Sequence, residues 1–545
     1  MSREFELKLL LPVRAAAAFR RDRLLTALAR GPLRTRRLRT IYFDTPDRLL
    51  ANARIALRVR RVGRRRVQTI KLPAAIASAS VHEELERDVS GSVPALDSAE
   101  LKILKRLLGE RLDPASLAPV FETDIRRTAW PLRLEETDIE LAHDAGRIVA
   151  DGRSERIAEI EIELVEGNPG RLFELALGLL ERHPLRFEPR TKAERGYALA
   201  DRRTPQPAIA PEVSLRADMT VREALSATVE NCLAHYHANA LVLQRTRNAE
   251  GVHQMRVALR RLRALVGACA VALAPEARAF LAEEMRWLQQ QFGPARDWDV
   301  FIAETLEPML HRLPDDADLP IVRKAAETRR EEGYRQAREA IGDPHHVRVL
   351  LCIGRWLATD DWVLAGGETR LAEFAAERLQ ERYRKVRKFG KALDLPIAEL
   401  HQLRIAAKKM RYVAEFFRPI YPKKASKPFF AALRDLQDDL GSINDAVVTE
   451  RLMDDLEPRV ARRIGLIRAA RARSLLTGWQ AQRVERDLAR FRRVWDRFRA
   501  CDPFWPKPSK RGQPAPTQNG ADADGSPGVA PVASGDPGTG GFAAG

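Results

Sequence analysis

Glu4-Phe5-Glu6-Leu7-Lys8 puts two carboxylates and an amine at every second position of one short run. On a β-strand successive side chains point to opposite faces. Glu4, Glu6 and Lys8 therefore share one face, and Phe5, Leu7 and Leu9 share the other. A single strand of this kind normally turns its polar face to water. Here the pattern recurs. Arg58 and Arg60 alternate with Leu57 and Val59, Glu84 and Glu86 are spaced by two, and Glu159, Glu161 and Glu163 alternate with Ile160, Ile162 and Leu164. Several strands with matched charged stripes predict the lining of a barrel with a polar interior.

The order of elements supports this. After the first strand, a helix is predicted over Val13–Ala29. Strands follow at Ile41–Pro46, Ile55–Arg60, Val67–Lys71 and Val81–Val89, with a short helix at Leu101–Leu108. Further strands are predicted at Ala118–Trp130, Asp138–His143, Gly146–Ala150 and Arg156–Val165, and a helix at Phe173–Arg182. About eight antiparallel strands with a few helices suit a closed barrel over residues 1–200, an α+β domain. Residues 201–213 hold three prolines and no periodicity, which predicts a linker. Residues 214–506 are rich in Ala, Leu, Arg and Glu at helical spacing and predict an all-α domain. From residue 507 to 545 the composition falls to Pro, Gly, Ala, Ser and Asp, which predicts a disordered tail.

The helical stretch contains a repeat. Val252-His253-Gln254-Met255-Arg256 returns as Leu400-His401-Gln402-Leu403-Arg404, and Gly293…Asp297 returns as Gly441…Asp445, both 148 residues on. One offset across two separated blocks predicts two helical bundles related by a pseudo-twofold axis. On a helix, His253, Arg256, Arg260 and Arg263 fall within a sector of about 80°, and His401, Arg404, Lys408 and Arg411 repeat it. No acidic i,i+4 partner is expected among these bases. Two facing stripes would make a positive groove for a long polyanion. Arg296-Asp297 and Asn444-Asp445 are expected to cap helix starts and to orient the bases by ion pairing.

The net charge of +18 points to an anionic partner. A GC-rich genome accounts for the excess of Arg over Lys but not for that charge. Nucleic acid is disfavoured, because the stripes carry no stacking aromatic beyond Tyr412. The four cysteines are scattered and fit a reducing cytoplasm. No apolar run reaches the roughly 18 residues of a membrane span. In the N-terminal half, acids (Glu4, Glu6, Glu84, Glu86, Asp144, Glu159, Glu161, Glu163) and bases (Lys8, Arg58, Arg60, Lys71, Arg127, Lys192, Arg195) occupy the polar positions. Carboxylates suit a hard divalent cation, and the bases suit phosphate, so the chemistry indicated is metal-assisted phosphoryl transfer.

Glu4-x-Glu6-x-Lys8 resembles the ExExK signature of the CYTH superfamily, the triphosphate tunnel metalloenzymes. The supporting motifs follow in order: Tyr42-Phe43-Asp44-Thr45-Pro46, Leu57-Arg58-Val59-Arg60, Lys71, Glu84-x-Glu86, Arg127, Asp144, Glu159-x-Glu161-x-Glu163 and Thr191-Lys192-Ala193-Glu194-Arg195-Gly196-Tyr197. The resemblance implies an eight-stranded antiparallel tunnel that binds a triphosphate with Mg²⁺ or Mn²⁺. It assigns Glu4, Glu6, Glu161 and Glu163 to the metals, and Lys8, Arg58, Arg60, Lys71, Arg127, Lys192 and Arg195 to phosphate. Glu4, Glu6, Lys8 and Lys192 become the catalytic set. One departure is His82-Glu83, where many members place an Arg two residues before the Glu-x-Glu pair. The helical half resembles the CHAD domain, whose family implies polyphosphate binding along the two basic stripes. The arrangement is similar to bacterial CYTH–CHAD fusions, some of which are inorganic triphosphatases. The expectation is then a cytoplasmic hydrolase of inorganic triphosphate, associated with polyphosphate granules. Alternatives are a polyphosphate-binding module with little catalysis, a nucleoside or thiamine triphosphatase, and an adenylyl cyclase.

Overall fold

Strands that alternate charge with aliphatic residues can bury both faces only if helices cover the aliphatic one and the charges neutralise each other on the other. The computed structural model, which describes residues 2–73, 80–390 and 396–507, does both. The predicted tail, apart from Lys507, lies outside the described residues.

Among the described residues nine strands form one antiparallel sheet: β1 (Ser2–Leu10), β2 (Arg34–Asp44), β3 (Ala56–Val62), β4 (Arg65–Pro73), β5 (Ser80–Asp88), β6 (Ala118–Leu134), β7 (Thr137–Ala150), β8 (Arg153–Glu166) and β9 (Arg186–Phe187). Their order is β5-β4-β3-β2-β6-β7-β8-β1-β9, and β1 pairs additionally with β5. The expected count of eight is thus exceeded by a two-residue strand paired with Leu9 and Leu10. The two strands expected at Asp138–His143 and Gly146–Ala150 are one, β7. Gly146 marks no turn. It lies so close to β6 that a Cβ would sit 2.1 Å from the Asp124 carbonyl oxygen.

The aliphatic faces meet helices. Leu7, Leu9, Ile160 and Ile162 pack on Phe19 of α1 (Ala16–Phe19), Leu25 of α2 (Arg23–Leu28) and Leu172, Phe173 and Leu179 of α5 (Gly170–Leu180). Leu57, Val59 and Ile70 pack on Leu49 and Leu50 of α3 (Leu49–Asn52) and Leu104 and Leu108 of α4 (Ser98–Leu108). Tyr197 of α6 (Lys192–Ala200) joins Tyr42 and Phe121. Each fully buried side chain of this size contributes about 1.5–3 kcal/mol. The single helix expected over Val13–Ala29 is broken. Asp22 caps α2 by accepting from the Leu24 amide at 2.7 Å, and it also accepts from Arg182 at 2.8 Å. His183 Nε2 lies 2.6 Å from the same carboxyl. These partners from beyond α5 fix a chain reversal that local propensity does not contain.

The helical half comprises α7 (Val221–Arg245), α8 (Ala249–Ala268), α9 (Pro275–Phe301), α10 (Glu307–Arg312), α11 (Leu319–Ile341), α12 (Pro344–Thr359), α13 (Leu371–Arg387), α14 (Ile397–Phe417), α15 (Lys423–Asp439), α16 (Gly441–Ile464) and α17 (Leu466–Ala500). The repeat offset appears in the helix starts: α8 and α14 begin 148 residues apart, and so do α9 and α15. The copies then diverge. Gly293 lies inside α9, whereas its equivalent Gly441 begins α16. Arg296-Asp297 therefore sits mid-helix, and α16 has no side-chain cap, so the expected capping role is not what these residues do.

The two halves share an apolar contact. Val347 and Leu351 of α12 enter the same core as Phe173, and Gly354 lets the helix approach, since a Cβ there would sit 2.4 Å from the Phe173 ring. The stretch expected as a linker has no helix or strand, yet it is fastened. Ala208 donates its amide to Asn239 at 3.1 Å and accepts from the Asn239 amide at 2.9 Å on α7.

Candidate active site

The register of β1 on β8 sets Lys8 opposite Glu161 and Glu6 opposite Glu163. β6 on β7 sets Arg127 opposite Asp144, and β4 on β5 sets Lys71 opposite Glu84. Cross-strand pairs of opposite charge thus arise from pairing alone. Lys192 arrives differently. It is the first residue of α6, held there by a capping box between Thr191 and Glu194, and its stem points from the helix start into the sheet's charged face.

These side chains surround a cavity of about 1200 Å³. Glu6, Lys8, Arg58, Arg60, Lys71, Arg127, Glu161, Glu163 and Lys192 all line it, with Tyr42, Glu84, Glu86 and Glu140. Eleven of the predicted acids and bases, Glu84 and Glu86 included, are brought together. Arg195 is not brought to the wall. Its guanidinium is 3% exposed and fully engaged behind it, donating to Glu159 at 2.7 Å, Glu155 at 2.9 Å and the Arg156 carbonyl at 2.8 Å. The side chains of Glu4 and His82 lie outside the described residues. Sequence inspection missed Glu140, which faces Glu163 across β7–β8. Its signal was its alternation with Ile139 and Leu141.

Two regions differ in charge balance. On the β1–β8–β7 side the charges neutralise one another. Lys8 donates to Glu6 at 3.0 Å, Arg127 binds Asp144 through two bonds of 2.8 and 2.7 Å and also reaches Glu161. The Lys192 ammonium sits among Asp144 (2.8 Å), Glu159 (2.5 Å) and Glu161 (2.5 Å). Burial pushes Glu161 up, but Lys192, Arg127 and Lys8 overcome it and hold the carboxyl well below its ordinary range. Burial also opposes the Lys8 and Lys192 ammonium charges. Glu6 with Glu161 prevails at Lys8, and Asp144 with Glu159 and Glu161 at Lys192, so both stay raised.

On the β3 side, cations are in excess. Burial, followed by Arg58 and Arg127, lowers Arg60 to about 10. Among the described residues Arg60 has no ion-pair partner, and the Nε atoms of Arg58 and Arg60 are both buried without an acceptor. Orphaned guanidinium donors in a cavity are a place for an anion, and their fork matches phosphate oxygens.

The carboxylates suit a divalent cation. Asp144, Glu159 and Glu161 offer oxygens all within 4.8 Å of one another, although Lys192 already occupies that cluster. An all-oxygen donor set is the set that hard ions such as Mg²⁺ take.

The two basic stripes also meet. α8 packs on α14, and the Arg260 guanidinium lies over the Tyr412 ring at 5.6 Å. Burial, Arg404 and Arg260 lower Lys408 to about 8. Asp297 lies 3.7 Å from Arg256, and Asn444 accepts from Arg404 at 3.0 Å, so these two do orient the bases. His253 is lowered by burial and by Arg296, a base the stripe pattern did not include. Arg263 and Arg411 bind repeat-related partners, Gln289 at 2.8 Å and Gln437 at 3.0 Å. Arg411 does have an acidic i,i+4 partner, Glu415 at 2.6 Å, contrary to expectation, and its charge is partly spent there. Partly buried His401 lies on the same helix.

A family model for the CYTH domain matches residues 2–197, and one for the CHAD domain matches residues 227–454. An inorganic triphosphatase of Haemophilus influenzae is 32% identical over 164 residues, 30% of this chain and 45% of that protein, so the chain spans about half of that relative's length. An uncharacterised protein of Mycobacterium tuberculosis is 26% identical over 436 residues, 75% of this chain and 81% of that protein. A crystal structure of the CHAD domain from the plant Ricinus communis is 30% identical and covers 53% of this chain and 96% of that one, with a TM-score of 0.45. No helix among the described residues is long and apolar enough to cross a membrane.

Proposed function

The chain carries a CYTH domain at residues 2–197 followed by a CHAD domain at residues 227–454, and we propose that it is a metal-dependent hydrolase of inorganic triphosphate whose helical half binds polyphosphate. The observation that carries the first part is the pair of buried guanidiniums, Arg58 and Arg60, with no acceptor for Nε, in one cavity with neutralised carboxylates. The pairing of β1 with β5 supports a closed eight-stranded tunnel, with β9 as an appendage.

Arg58, Arg60 and Lys71 hold the phosphates on the cation-rich side, and Lys8, Arg127 and Lys192 meet the charge that develops as the bond breaks. Glu6, Glu161 and Glu163, with Glu4, would hold Mg²⁺ or Mn²⁺. Such an ion supplies neutralisation of phosphoryl oxygens and acidity to water. Water attacks a terminal phosphorus, and the P–O bond breaks to release phosphate and pyrophosphate. Arg195 acts from behind, by holding Glu159 and the start of α6 in place. The helical half holds polyphosphate through His253, Arg256, Arg260 and Arg263 and through His401, Arg404, Lys408 and Arg411.

One experiment separates the two halves. Arg256, Arg260, Arg404 and Lys408 are all changed to Glu in the full chain. Polyphosphate affinity is expected to fall by about 100-fold or more and to lose its salt dependence. Phosphate release from triphosphate should persist, stop on chelation of divalent cations and return with Mg²⁺. Unchanged affinity would refute the groove, and turnover in chelator would refute the metal requirement.

A further inference from the structure

The cavity is not lined by the N-terminal half alone. Ala227, Glu230, Asn231, Ala234 and Ala238 of α7 contribute to its wall. Their spacing is one helical face. Ala234 and Ala238 are exposed there, so nothing bulky separates that face from the chamber. His237, stacked on Phe187 at 4.6 Å, and Leu241 also line a neighbouring cavity of about 670 Å³. The α7 face carries no cation.

Among the described residues Glu230 is the one acid that the helical half contributes to the chamber wall. Glu6, Glu84 and Glu161 each have a lysine within ion-pair distance. Glu230 has no ion-pair or hydrogen-bond partner among the described residues. Burial and Asp360 push its carboxyl up to about 7. A polyanion held by the cations of the strands would meet, on reaching α7, a wall of small side chains and one uncompensated acid. A further phosphoryl group placed against that acid suffers like-charge repulsion in a half-desolvated space.

We propose that α7 of the helical half closes one side of the substrate chamber and that Glu230 sets the length of phosphate chain it accepts, disfavouring chains longer than triphosphate. This rests on the proposed triphosphatase activity and adds a specificity-determining residue from the other domain to it. The fastening of residue 208 to Asn239 holds α7 in this place.

The test compares kcat/KM for linear triphosphate and linear tetraphosphate, with Mg²⁺ at pH 8.5, in the full chain. Glu230→Gln should raise the tetraphosphate-to-triphosphate ratio about tenfold, and Ala234→Asp should lower it. A ratio unchanged within twofold in both variants overturns the proposal. If the wild type releases no phosphate from triphosphate, the activity itself is wrong. The same ratio is then taken from calorimetric Kd values in the background with Arg256, Arg260, Arg404 and Lys408 changed to Glu, where the chamber is the site measured. A Kd ratio that ignores Glu230 would again overturn the proposal.

Discussion

Glu6→Ala abolishes phosphate release from triphosphate, with a fall of roughly 10³-fold, while polyphosphate affinity stays within a factor of about two. The size corresponds to about 4 kcal/mol of transition-state stabilisation, the order expected when a carboxylate that positions a divalent cation is lost. Glu6 is 4% exposed and receives the Lys8 ammonium at 3.0 Å. Removing it deletes one oxygen donor and frees Lys8 to swing toward Glu161, 3.8 Å away. The basic stripes of α8 and α14 are built from other residues, so their ligand should not sense the change. Steady-state phosphate release and a salt-titrated binding assay on the same preparation decide it. Equal loss in both would mean that the substitution unfolds the chain or that the two halves share one site.

Lys192→Ala destabilises the N-terminal half by about 3–5 kcal/mol at pH 8, because three buried carboxylates lose their shared cation. Asp144, Glu159 and Glu161 are respectively 0%, 1% and 8% exposed, too little for water to replace the ammonium. The effect depends on pH with a definite sign. Burial raises the Asp144 and Glu161 carboxyls, but Lys192 and Arg127 together, with Lys8 at Glu161, outweigh it and both are lowered, so they stabilise the fold above their ordinary values and lose this as pH falls through the folded ones. In the variant burial is opposed only by Arg127 and Lys8, and the carboxyls take up protons more readily. The gap in stability between wild type and variant is therefore expected to narrow from pH 8 toward pH 4, as followed by urea unfolding. A gap that widens on acidification would show that Lys192 is not the ion holding these acids.

Much of this was legible in the sequence, because a strand with two buried faces of different chemistry carries its own address. Glu6, Lys8, Arg58, Lys71 and Glu161 reach one cavity simply by alternation and register. The 148-residue repeat placed Arg263 and Arg411 at equivalent stripe positions, and the structure gives them equivalent partners, Gln289 and Gln437. What was hidden is non-local. The break at Asp22 is set by Arg182 and His183, and the straight run of β7 through Gly146 by its neighbour strand. Arg296-Asp297 was expected at a helix start, but Gly293 and Pro294 before it lie within α9. Arg195 shared the motif of Lys192, yet three residues along α6 turned it away from the cavity. The approach of α7 to the chamber has no sequence signature at all, since a face of Ala227, Ala234 and Ala238 looks like any helix surface.

Phosphate release by the purified full chain with Mg²⁺ or Mn²⁺, measured side by side on triphosphate, ATP, thiamine triphosphate and long-chain polyphosphate, tests the central claim most directly. The account predicts a strong preference for inorganic triphosphate, because the strands line the chamber with guanidiniums and ammoniums that match phosphate oxygens. Turnover of ATP or thiamine triphosphate in preference to triphosphate, or no turnover of any substrate beside tight polyphosphate binding, would contradict it.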